Sequence, residues 1–174
     1  LTPDILICNN IMRDSLKRNA HTEFICYILN KQLPSSTKVV LNADDLICSG
    51  LFPNNKDRTY FGVSADRPEN GAATDEALRD IVYCPKCGAK LETEYVRYNH
   101  IGRHHCSSCG FASPKPDYDV TAINREKGTF TVTHNGVDEE YKIVNDNIIN
   151  IYNSCAVISV LHTFGLDYEK IHNA

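Results

Sequence analysis

Val39-Val40-Leu41-Asn42-Ala43-Asp44-Asp45 decides the fold of this chain, because an unbroken apolar run turns abruptly into amides and carboxylates. A strand with one wet face alternates apolar and polar residues, whereas an unbroken run has no wet face and suits a parallel sheet covered on both sides. Two similar runs flank it: Ile5-Leu6-Ile7-Cys8, followed by Asn9 and Asn10, and Tyr60-Phe61-Gly62-Val63, followed by Ser64 and Asp66. Between the first two, His21 to Leu33 carries Phe24, Ile25, Ile28 and Leu29 at helical spacing, and Pro34 stands where a helix must stop. The expected fold class is therefore α/β, built on a mostly parallel sheet. Ligands in such sheets bind beyond the carboxyl ends of the strands, so the polar clusters after each run mark one candidate edge.

Cys84-Pro85-Lys86-Cys87-Gly88 and Cys106-Ser107-Ser108-Cys109-Gly110 interrupt this pattern with two CxxCG knuckles, eighteen residues apart. The short step between cysteines lets both sulfurs of a knuckle face one ion, and each glycine permits a left-handed backbone. Four thiolates so arranged predict a zinc ribbon with Cys84, Cys87, Cys106 and Cys109 as ligands. Because four cysteines fill a tetrahedral shell, no position remains for an activated water, and the expected zinc is structural. Cys8, Cys26, Cys48 and Cys155 lie in apolar surroundings without regular spacing and are expected to be buried, reduced thiols.

After the ribbon, Pro114-Lys115-Pro116 reads as a linker and the period changes to two. Val120 to Asn124, Thr129 to His134 and Val137 to Val144 predict an antiparallel β meander, with Asn135-Gly136 as a type I′ turn between the second and third strands. Ile148 to Phe164 is apolar around most of its circumference, with Asp146 or Asn147 to cap it and Gly165 to stop it, which predicts a buried helix. Residues 1–80 and 112–174 are thus expected to form the α/β domain, with the ribbon inserted at 81–111.

The 174 residues are 42% hydrophobic, enough for one substantial core and a small metal-pinned module. With 18 Lys+Arg against 22 Asp+Glu the chain has no general field to attract a phosphate polymer, so nucleic acid is not an expected partner. One local exception is the ribbon, where Lys86, Lys90, Arg97 and Arg103 interleave with Tyr95 and Tyr98. No stretch approaches the roughly 18 apolar residues of a membrane span, and Leu1-Thr2-Pro3-Asp4 is unlike a signal peptide. The expected location is the cytoplasm.

Three stretches carry a family resemblance: Asn10-Ile11-Met12-Arg13-Asp14-Ser15-Leu16, Leu41-Asn42-Ala43-Asp44-Asp45, and Asn150-Ile151-Tyr152-Asn153-Ser154-Cys155-Ala156. Together they resemble the central domain of the Mur ligases. A four-cysteine ribbon between the second and third narrows the resemblance to the MurT family, the Mur-ligase-like subunits of bacterial lipid II isoglutaminyl synthase. The resemblance implies a P-loop-type sheet and an ATP- and Mg²⁺-dependent amidation of the D-glutamate α-carboxylate of lipid II, a peptidoglycan precursor. Ammonia would come from a GatD-like glutaminase partner. Asn150 and Asn153 match the paired asparagines that lie beside adenine in the family, and Asp44 and Asp45 match a strand-end segment whose carboxylates could orient metal-bound water or sugar hydroxyls. Helix capping for the asparagines and an Asx turn for the aspartates remain open as plainer roles. Leu46 stands where the family usually has proline, and Ser15 to Asn19 depart from the family's continuation of the Arg13-Asp14 segment.

No GxxxxGK[ST] phosphate loop occurs in these residues, although the family places one upstream of the strand matched by Ile5 to Cys8. The chain is therefore expected to be part of a longer carbon–nitrogen ligase and inactive alone, with catalytic residues unassigned. The alternative function is a non-catalytic zinc-ribbon module that binds protein or nucleic acid.

Overall fold

The computed structural model describes residues 2–12, 21–68 and 81–173. The Arg13-Asp14 segment and Ser15 to Asn19 lie outside them.

Strands β1 (Ile5–Cys8), β2 (Lys38–Asn42) and β3 (Arg58–Val63) form where the three apolar runs predict them, and they pair in parallel in chain order. Helix α1 (Thr22–Gln32) connects the first two, and the short helix α2 (Leu46–Ser49) leads toward β3. Ile25, Cys26 and Leu29 of α1 pack on Val39 and Leu41, whereas Phe24, placed on the same face by its spacing, is 58% exposed.

A hairpin of β4 (Glu92–Tyr98) and β5 (Ile101–His105) follows, separate from the main sheet. Three further strands, β6 (Tyr118–Asn124), β7 (Thr129–His134) and β8 (Val137–Lys142), then run as the predicted meander. Asn135 and Gly136 both have positive φ, 51° and 77°, as a type I′ turn requires.

The meander is not a separate layer. Its first strand lies parallel to β3, with Phe61 opposite Tyr118, so one six-stranded sheet runs in the order β1-β2-β3-β6-β7-β8. Alternation in β6 disguised this central position. Tyr118 and Val120 are buried toward a helix, while Asp119 and Thr121 point to the opposite, more open face.

That covering helix is α3 (Ile148–Thr163), and a short helix α4 (Tyr168–His172) follows it. Asn147 caps α3 by accepting from the Ile149 amide, which settles the choice between Asp146 and Asn147. At the other end Gly165, at φ 78°, lets its own amide reach the His162 carbonyl and the Leu166 amide reach the Leu161 carbonyl, a Schellman ending. Ile151, Tyr152, Cys155, Ala156 and Ile158 of α3 join Val40, Phe61, Val63, Val120 and Val132 in the largest apolar cluster. Among the described residues no helix is long and apolar enough to cross a membrane.

Candidate metal centre and strand-edge site

Each knuckle is a tight turn closed by its glycine. The Gly88 amide reaches the Cys84 carbonyl and the Gly110 amide reaches the Cys106 carbonyl, both at 2.9 Å. Both glycines have positive φ, 77° and 72°, and a Cβ there would meet no atom within 4 Å, so conformation and not space demands glycine. The Cys84 and Cys106 amides in turn donate across the loops to the carbonyls of Ala89 and Phe111, both at 2.7 Å. The knuckles are therefore near copies of one another.

They bring the sulfurs of Cys84, Cys87, Cys106 and Cys109 within 4.8 Å of one another. Across the knuckles, Cys84 lies 3.6 Å from Cys109 and Cys87 lies 3.5 Å from Cys106. A disulfide requires about 2.05 Å, whereas sulfurs at the corners of a tetrahedron with bonds of about 2.3 Å stand about 3.8 Å apart. The spacing fits a shared ion, and a soft four-thiolate donor set suits zinc. Bound there, zinc would supply structure and no open coordination position. Cys84→Ser or Cys106→Ser is expected to abolish stoichiometric zinc, read by elemental analysis of the purified protein; full retention in either would show a different ligand set.

The ribbon is stitched to the sheet more firmly than an inserted module need be. Leu46 of α2 packs with Cys84, Leu91 and Cys106, and Ile101 of β5 reaches the main apolar cluster. Arg97 donates to the carbonyls of Val63, Ala65 and Asp66 at the end of β3, and its guanidinium lies over the Tyr95 ring. Arg103 donates to the carbonyls of Pro114 and Ser113 and faces Asp44 at 3.4 Å. Two of the four cations that suggested a nucleic-acid face are thus turned inward, and Tyr95 is buried. Sequence showed the charges but not their direction.

Asp44 and Asp45 are the anchors of this seam. Asp45 is fully buried and caps α2: one oxygen accepts from the amides of Ile47 and Cys48 and from His100 Nε2 at 3.1 Å, and the other from the Ile11 amide. Burial pushes its carboxyl up, but the His100 contact and the Cys48 and Ile11 amides outweigh that, holding it below the usual 3.8. Asp44 accepts from the Val63 amide and from the Tyr152 hydroxyl at 2.7 Å, while its carbonyl accepts from the Gly102 amide. Burial keeps its carboxyl above the usual value despite those donors and Arg103. Both carboxylates are buried and engaged within the protein. Asp45 accepts from the Ile47 amide two residues on, as in the Asx turn left open for it, and caps α2 in the same contact.

The strand edge offers amides instead. Asn9, just past β1, donates to Asn153 Oδ1 at 2.6 Å, and Asn42 at the end of β2 donates to the Asn9 carbonyl. Asn153 thus comes from α3 to the carboxyl edge of β1, while Asn150 sits half-buried in the first turn of that helix. Among the described residues, Asn9 Oδ1 is buried without a hydrogen-bond partner. An orphaned acceptor beside Asn153 fits a ligand that donates an N–H, as an adenine amino group does. Sequence marked Asn9 only as a polar residue after a strand; its pairing spans 144 positions and no local signal announces it.

No protein-family model matches the chain. Curated relatives do. The MurT subunit of lipid II isoglutaminyl synthase (glutamine-hydrolyzing) from Staphylococcus aureus strain COL is 29% identical over 174 residues, covering 99% of this chain and 38% of the relative. Along almost its whole length the chain is similar to this MurT subunit. The MurT subunit of Streptococcus pneumoniae strain R6 is 26% identical over 178 residues, again covering 38% of that protein. A solved pseudomurein peptide ligase type C from Methanothermus fervidus superposes with a TM-score of 0.75 at 25% identity, over 98% of this chain and 33% of that one. The chain therefore spans well under half the length of these relatives, and the mostly parallel arrangement of its sheet agrees with the solved neighbour.

Proposed function

We propose that this chain is the central part of a longer ATP-dependent amide ligase of the MurT type. In this reading the whole protein amidates the D-glutamate α-carboxylate of lipid II in the cytoplasm, using ammonia released by a GatD-like glutaminase. The similarity to MurT over 99% of the chain carries the reading, and the amide cluster at the strand edge supports it. Asn153 and Asn150, with Asn9 beside them, would hold the adenine edge, because a carboxamide both donates and accepts. ATP and its Mg²⁺ would supply activation of the carboxylate as an acyl phosphate. In this reading the described residues bind and orient the nucleotide. Asp44 and Asp45 would keep β2, β3, α2 and α3 in register around the edge, and the ribbon would brace the same seam through Arg97 and Arg103.

The test uses the complete native protein that contains these residues, with a glutaminase partner, glutamine and ATP, and follows carboxamide formation on lipid II by mass spectrometry. Amidated product is expected only with ATP. Asn153→Ala is expected to weaken ATP binding about tenfold in calorimetric titration, the worth of one or two lost polar contacts. A complete protein that binds no nucleotide would overturn the ligase reading and favour a non-catalytic zinc-ribbon module.

A further inference from the structure

Four cysteines lie outside the ribbon, and two of them meet. Cys8, the last residue of β1, and Cys48, in α2, bring their sulfurs to 3.0 Å across a sequence separation of 40 residues. That is closer than the 3.5 and 3.6 Å contacts within the ribbon cluster. All four cysteines outside the ribbon are free thiols, as expected, but only Cys48 and Cys155 are buried; Cys8 and Cys26 are partly exposed. A disulfide bond is about 2.05 Å long, so the sulfurs need close by about one ångström.

We propose that Cys8 and Cys48 are a modification site, a dithiol that closes to a reversible disulfide. The oxidant is a low-molecular-weight disulfide. Cys8, the more accessible thiol, attacks it as thiolate, forming a mixed disulfide and expelling one small thiol. Cys48 then loses its proton and attacks the Cys8 sulfur, expelling the second small thiol. Two protein thiols are oxidised by two electrons, one small disulfide is reduced to two thiols, and the protons lost by the cysteines are taken up by the leaving thiolates. Burial pushes the Cys48 thiol up, so the second step relies on the proximity of the two sulfurs.

The bond would fasten β1 to α2. Asn9, the next residue after Cys8, pairs with Asn153, and Leu46 of α2 sits in the ribbon's apolar cluster, so the crosslink would tie the strand edge to the metal-bearing arm. This inference does not depend on the nucleotide reading.

The test treats zinc-loaded native protein with oxidised glutathione and maps crosslinked peptides under non-reducing conditions. A Cys8–Cys48 peptide is expected, with two fewer titratable thiols, reversal by dithiothreitol and a Tm higher by about 5 °C or more. Cys48→Ser should instead trap glutathione on Cys8, which distinguishes loss of the resolving thiol from misfolding. A bond to Cys26, or an unmodified Cys8 under oxidation that modifies an exposed control thiol, would overturn the proposal.

Discussion

Replacing Asp45 by alanine is expected to lower the unfolding free energy by about 3–5 kcal/mol, because it leaves buried His100 without its carboxylate and removes a helix cap together. Both side chains are 0% exposed at 3.1 Å separation, so solvent cannot compensate either group. Asp45→Asn keeps one oxygen for the α2 amides and should lose less, while still abolishing the charge. Urea unfolding of both variants and the parent reads the effect; a loss under about 1 kcal/mol in the alanine variant would contradict the assignment.

The pH dependence has a definite sign. The folded-state carboxyl of Asp45 is held below its ordinary 3.8, so its contribution is fully present above that value and is lost as pH falls through the folded pKa. The stability gap between parent and Asp45→Asn should therefore hold at neutral pH and narrow below about pH 4. Asp44 acts in the opposite sense. Burial raises its carboxyl, so its contribution is full below 3.8 and is lost as pH rises through its folded pKa. Two adjacent aspartates thus titrate with opposite effects because one has enough donors to offset burial and the other does not.

Gly102→Ala is the second large effect, expected to cost at least about 3 kcal/mol. A Cβ on Gly102 would lie 2.0 Å from the Tyr95 carbonyl oxygen and 2.9 Å from the Val96 Cα, both backbone atoms of the paired strand that cannot step aside. The same residue donates its amide to the Asp44 carbonyl at 2.7 Å, so moving β5 also breaks the seam with β2. Hydrogen exchange should report faster opening across 92–105, together with the lost stability. Gly88→Ala is the control: nothing stands within 4 Å of its Cβ, and only the left-handed backbone is strained, at about 1 kcal/mol. Equal effects at the two glycines would refute the steric argument.

The asymmetry between these glycines shows what was legible. Gly88 and Gly110 could be read from the sequence, because the CxxCG turn is local and its four cysteines converge through short steps that leave few alternatives. The parallel core was equally legible. Val39, Val40 and Leu41 run with no polar residue interleaved to put in water, and the structure leaves all three at 0% exposure. Gly102 gave only a faint signal, a glycine within a strand pattern, because its reason is the opposite strand.

Sequence by itself determined most of the element pattern: the runs that become β1–β3 and β6–β8, where α1 and α3 stop, where the type I′ turn lies, and which four sulfurs gather. Those features follow from periodicity, capping and short-range spacing, which act within a few residues. Tertiary structure alone decided the rest. Tyr118 became central to one mixed sheet, Arg97 and Arg103 turned from a surface patch into clasps, Asp44 and Asp45 became buried anchors, and Asn9 met Asn153. Each depends on contacts between distant segments, where a charge is drawn inward only if the fold supplies its partner and a polar side chain's role depends on what packs against it.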